Sequence, residues 1–103
     1  VILAVQAKDT IKQVINGVVE HTYDRSTMWQ VQTPQAFKRD IILKAYEQAE
    51  AQNYLGTDDA SLVERAGCKV HISNGDYDNI KITTHEDLII AHSILEKRGI
   101  CDV

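Results

Sequence analysis

The sequence predicts an α/β domain with a projecting β-hairpin arm, and three observations carry that reading. From residue 27 onward, β-prone runs alternate with segments of helical period, as in layered α/β chains. Asn16-Gly17 lies between two β-prone runs, a strong hairpin signal because both residues accept positive φ. Apolar residues make up 44% of the 103 and charged residues 25%, ordinary for a globular chain with a single core.

Taken in order, "VILAVQA" reads as a strand already inside a core, too short and without the basic lead of a signal peptide. A chain that opens in this way, on Val rather than Met, is expected to be a piece of a longer one whose N-terminal part is missing. Residues 8–26 form the hairpin, with Lys, Thr, Asp, Glu and Arg on both strands and little apolar surface. Two strands alone are marginal, so the hairpin is expected to lie against something else, a partner chain being one possibility.

"STMWQVQTPQAF" is a strand running into Pro34, the only proline, which the reading sets near a helix start. The helix spans about Gln35 to Gln52: Phe37, Ile41, Ala45 and Ala49 fall four apart, with Ile42 and Tyr46 widening the stripe. "NYLGTDDASLVERAG" is a loop and a short helix, with Asp58 and Asp59 in its first turn and Gly67 at its close. "CKVHIS" and "NIKIT" are strands about the turn "NGDYDN", and a period of two sets Lys81 opposite Ile80 and Ile82. Thr84 caps the last helix with Asp87 three residues on. Leu88, Ala91, His92 and Leu95 form its expected buried stripe, His92 being a core or boundary histidine, and Gly99 ends it.

Net charge is −4 with no basic stripe, which argues against a nucleic-acid surface. No apolar run approaches a membrane span. Cys68 and Cys101 lack metal-ligand spacing and read as buried free thiols of a reducing cytosol. His21, His71, His85 and His92 have no metal spacing either, and neither a nucleophile-base pair nor a glycine-rich phosphate loop stands out.

What remains is a sparse set of cations and hydroxyls. Thr33 and Lys81 fall near strand ends, where ligands gather in open α/β sheets. Arg25 and Thr10 lie on opposite arms of the hairpin, and a planar guanidinium fork beside a hydroxyl suits a phosphate monoester. By residue type alone each also suits a solvated charge or a turn hydroxyl, and Asp58 and Asp59 suit a helix start better than a metal. Residue chemistry therefore stops at the phosphate-binding half of an α/β domain.

The motifs "KDTIK", "TYDRSTMWQVQTPQAF", "TDDASLVERAG" and "GDYDNIKITTHEDL" occur in one order and spacing. In these the chain resembles, over about residues 3–97, the C-terminal half of the 2-C-methyl-D-erythritol 4-phosphate cytidylyltransferase family, enzymes of non-mevalonate isoprenoid biosynthesis. The resemblance implies a Rossmann-like nucleotidyltransferase domain, of which residues 1–103 are the C-terminal part: about 8–26 the β-arm and 27–103 the α/β portion. It implies transfer of CMP from CTP to methylerythritol phosphate with Mg2+ as cofactor, in a cytoplasmic homodimer whose β-arms each reach over the other subunit's active site.

By motif, Thr10 and Arg25 would bind the substrate phosphate from the arm, across the dimer interface. Thr33 and Lys81 would contact it from within the subunit, with Arg25 and Lys81 as the catalytic pair. The glycine-rich CTP loop and the Mg2+-holding aspartate belong to the family's N-terminal half, absent from this sequence, so the fragment alone is expected to be inactive. "VQA" stands where the family usually has a proline-valine pair, which bears on the arm's exit. Ribitol-5-phosphate cytidylyltransferase, which shares the "QTPQ" and "NIK" framework, is one alternative. The other is a non-catalytic dimerisation or phosphate-binding module.

Overall fold

A computed structural model describes residues 1–99; Cys101 lies outside them. β1 (Ile2–Gln6) is the middle strand of a mixed sheet, between β4 (Trp29–Gln35) and β5 (Ile72–Asn74). It buries Ile2, Ala4 and Val5, with Ala7 buried just beyond it, as a near-continuous apolar run does when both faces are covered. β4 pairs with it antiparallel and β5 parallel.

Pro34 lies in β4 rather than at a helix start, and the peptide before it is cis. The β1–β4 ladder is irregular between the Ile2–Gln35 and Ala4–Val31 pairs, and a residue with no N–H is tolerated in such a stretch. Pairing continues past it, the Ala36 N–H donating to the Val1 carbonyl at 2.9 Å. Helix α1 (Arg39–Ala51) therefore begins four residues later than the expected Gln35.

α1 packs on α2 (Asp59–Arg65) through Ala45, Ala49, Leu62 and Val63, with Phe37, Ile41 and Ile42 around them. Tyr46 does not join that stripe: it is 48% exposed, and its hydroxyl donates to Asp59 Oδ1 at 2.5 Å. Both helices end in the same way, α1 on Asn53 at φ 52° and α2 on Gly67 at φ 92°. In each case the N–H of that residue and the N–H of the next fold back onto carbonyls of the last turn. That closure takes the Cys68 N–H for the Val63 carbonyl, so the strand expected from Cys68 begins only at Ile72. Cys68 is a half-buried free thiol beside this core.

Two further expectations are corrected. "NIKIT" is not a strand, because the Asn79 and Ile80 N–H groups donate to the Asp76 and Asp78 carbonyls, closing local turns instead of a ladder. In α3 (His85–Lys97) the Thr84–Asp87 capping box forms as expected, but no residue of the helix is buried. Leu88 is 53% exposed and Leu95 40%, because the core is drawn between α1 and α2 and around β1. His92 lies at the surface, 3.3 Å from Glu96 one turn on.

The hairpin is β2 (Lys12–Ile15) and β3 (Val18–Thr22), joined by Asn16 at φ 52° and Gly17 at φ 78°. Every residue of both strands is exposed, and its tip carries Val14, Ile15, Val18 and Val19, more apolar surface than expected. The radius of gyration is 17.2 Å, against about 13 Å for a compact domain of this length. Among the described residues no helix is long and apolar enough to cross a membrane.

Candidate functional site

Thr33 and Lys81 line one cleft of about 420 Å³, together with Gln32, Gln35, Thr57, Asp58 and Asn79. Strand ends do not explain their meeting. β4 runs against β1 and β5, so its carboxyl end lies at the opposite end of the sheet from theirs. The segment between β5 and α3 joins them instead.

The Gly75 N–H donates to the Ala4 carbonyl at 2.9 Å as the chain leaves β5. The chain then turns on Asp76, whose Oδ1 accepts the Asp78 N–H at 2.8 Å. Arg98, at the end of α3, reaches the carboxylates of Asp76 and Asp78 at 3.2 Å each. The Asp78 N–H and then the Arg98 charge hold the Asp76 carboxyl below its ordinary value. From this turn the Asn79 side-chain amide donates to the Thr33 carbonyl at 2.8 Å. Gln32 answers from β4, its amide donating to the Asp76 carbonyl at 2.8 Å and the Asn79 carbonyl at 3.2 Å.

The other wall is fixed by Gln35. Its Nε2 donates to Asp58 Oδ2 at 2.9 Å and its Oε1 accepts the Ala60 N–H at 3.2 Å. Asp58 Oδ1 meanwhile caps α2 by accepting the Ser61 N–H at 2.8 Å. The carboxylate nearest the cleft is thus engaged with α2 and Gln35, and does not pair with Lys81. Among the described residues the Lys81 ammonium has no hydrogen-bond or ion-pair partner. An exposed, unpaired cation in one cleft with threonine hydroxyls, on walls held by side-chain amides, is equipped to receive an anion.

Thr10 and Arg25 do not line this cleft. Rather than lying on the hairpin strands, Thr10 precedes β2 and Arg25 follows β3, at the root of the hairpin. Arg25 opens a 3-10 turn, Arg25–Thr27, capped by Asp24. The Ser26 hydroxyl and N–H donate to Asp24 Oδ1 at 2.8 and 3.0 Å and hold that carboxyl below its ordinary value. Arg25 Nη1 donates to the Lys8 carbonyl at 2.9 Å, which leaves other guanidinium donors for a ligand. Of the four predicted residues the fold brings together two. Among the described residues no group of three or more His, Cys, Asp or Glu could hold a metal ion.

The family model described as 2-C-methyl-D-erythritol 4-phosphate cytidylyltransferase (IspD) matches residues 1–97. The curated enzyme of that name from Geobacillus thermodenitrificans is 59% identical over 95 residues, 92% of this chain and 42% of its own length. The one from Lysinibacillus sphaericus is 52% identical over 99 residues, 96% of this chain and 43% of its own. Among solved structures, 4-diphosphocytidyl-2C-methyl-D-erythritol synthase from Anaerococcus prevotii superposes with a TM-score of 0.85 at 40% identity, covering 92% of this chain and 43% of that one. The Francisella tularensis enzyme gives 0.80 at 37%, over 89% and 43%. The chain therefore spans less than half the length of the relatives it matches.

Proposed function

The chain belongs to the 2-C-methyl-D-erythritol 4-phosphate cytidylyltransferase family, and from that premise we propose that it supplies the substrate-phosphate side of a CMP-transfer site in a longer enzyme. The reaction takes CMP from CTP onto 2-C-methyl-D-erythritol 4-phosphate, giving 4-diphosphocytidyl-2-C-methyl-D-erythritol and pyrophosphate. A phosphate oxygen of methylerythritol phosphate attacks the α-phosphorus of CTP. The bond from that phosphorus to the bridging oxygen breaks, and pyrophosphate leaves with the electron pair.

The observation that carries this reading is the unpaired Lys81 ammonium in one cleft with Thr33. There it orients the attacking phosphate and offsets its charge, and positioning with charge stabilisation is most of what such a transfer asks of a protein. Thr10 and Arg25 act, in this reading, on the site of a second copy. Their position at the root of an exposed hairpin, away from the Lys81 cleft, supports a homodimer in which the hairpin crosses between subunits.

CTP binding and Mg2+ are assigned to the remainder of the family's length. The described residues do not form a ligand group for the metal, so no step here passes through it. The matched family is the erythritol-phosphate enzyme, which leaves the ribitol-phosphate reading without support.

The test is release of pyrophosphate from CTP. The complete enzyme carrying this sequence releases it only when methylerythritol phosphate is present, whereas the 103-residue chain alone releases none. Release by the chain alone would refute the assignment of the CTP site elsewhere. A complete enzyme indifferent to methylerythritol phosphate would refute the function and favour a non-catalytic module.

A further inference from the structure

We propose that Gln32 and Asn79 are positioning residues of the transfer reaction, setting Lys81 beside Thr33 through a side-chain amide brace. The inference rests on the proposed role of Lys81. Lys81 lies in a segment with no ladder of its own: among the described residues no backbone hydrogen bond joins residues 76–83 to β4. What ties this segment to β4 is side-chain chemistry. Gln32 donates to two carbonyls of the turn, at 2.8 and 3.2 Å, and Asn79 donates back to the Thr33 carbonyl at 2.8 Å. The Asn79 amide also lies 3.4 Å from Gln32 Oε1, a long contact that aligns the two groups.

Three backbone carbonyls and one amide oxygen in this arrangement demand donors on both partners, which an amide supplies and a carboxylate does not. Gly75 packs directly against the Gln32 amide. A Cβ on it would stand 2.2 Å from Gln32 Oε1 and 3.3 Å from its Cδ, so any larger residue displaces the brace. The amides hold the Asn79 end of the segment, and two residues further on Lys81 enters the cleft. The Arg98 clamp holds Asp76 and Asp78, and among the described residues it makes no hydrogen bond to β4.

The experiment is a double-mutant cycle in the complete enzyme carrying this sequence, read as kcat/KM for methylerythritol phosphate and KM for CTP. Gln32→Ala, Asn79→Ala and Gly75→Ala are each made with Lys81 present and with Lys81→Ala. A displaced cation costs roughly tenfold to a hundredfold in kcat/KM, and each variant should show a loss in that range while KM for CTP holds. In the Lys81→Ala background the same substitutions should change the residual rate by less than about threefold, because the residue they position is gone. Equal losses in both backgrounds, or a Gln32→Ala enzyme of full activity, overturn the brace and leave the site reading standing. Full activity of Lys81→Ala alone overturns the site reading and the brace with it. Asn79 and Gly75 keep the test decisive if Gln32→Ala does not fold, since both disturb the brace without removing the Gln32 side chain.

Discussion

Lys81→Ala is the most direct test of the phosphate assignment, and its size can be worked from the environment of the residue. Lys81 is exposed in an open cleft, and no described side chain pairs with its charge. Unit charges about 4 Å apart gain ~1 kcal/mol in water and ~4 kcal/mol at an effective dielectric of about 20. The first value, about fivefold in rate, describes an ammonium and a phosphate in a site that stays open to solvent. In the proposed homodimer, bound substrate and a hairpin from the second copy would exclude water and move the interaction toward the second value. Removal of one positioned charge-stabilising group then costs about 10²–10³ in kcat. In the complete enzyme, kcat/KM for methylerythritol phosphate should therefore fall roughly a hundredfold to a thousandfold, with KM for CTP unchanged. Pyrophosphate release under varied concentrations of each substrate measures both. A fall of about fivefold that vanishes at high salt would mean a screened cation in an open site. An unchanged kcat/KM would refute the reasoning and return Lys81 to the class of solvated lysines.

Three further outcomes test other parts of the reading. Arg25→Ala should lose activity alone but recover part of it when mixed with a variant dead at the CTP site, measured by pyrophosphate release; no recovery would mean a site built within one subunit. Asp58→Ala removes the α2 cap and the Gln35 contact together, so it should destabilise the chain by at least the ~1 kcal/mol of a lost N-cap, read as a lowered melting temperature. The Thr84 and Thr83 N–H groups hold the Asp87 carboxyl below its ordinary 3.8. A carboxyl depressed in this way contributes stability above its unfolded value and loses it as pH falls through the folded one. The helical circular dichroism should accordingly be flat near neutrality and decline on acidification below 3.8, and Asp87→Asn should weaken that dependence, with the Asp76–Arg98 pair accounting for what is left.

The features legible in the sequence are those whose cause is local. The Asn16-Gly17 turn forms because two adjacent residues accept positive φ, and the Thr84–Asp87 box because both partners lie on one helical turn. The α1–α2 core likewise follows from spacing along two helices. Other expectations needed knowledge of what lies opposite. Alternation in "NIKIT" describes an extended backbone and cannot tell a ladder from a segment closed by its own turns. The apolar stripe of α3 is present in the sequence, yet burial depends on a neighbour, and none of its residues is buried. Pro34 suits a helix start by local preference, but the pairing partner of β4 decides the matter.

The cleft illustrates the same division at the level of single side chains. Thr33 and Lys81 were visible through motif resemblance, while the strand-end rule that also suggested them fails in a sheet where β4 runs against β1 and β5. Gln32, Gln35 and Asn79 were not visible as site-builders, because an amide that bonds a distant carbonyl leaves no periodic trace. Their one signal is composition: "QTPQ" puts a glutamine on each side of Thr33-Pro34, with Gln32 bracing toward the Asp76 turn and Gln35 toward α2. A backbone ladder would accept almost any residue at these positions, whereas an amide brace accepts only a side chain that donates and receives at one tip. Residue type therefore bears the geometry of the cleft, and the cation in it is only as well aimed as the neutral amides behind it.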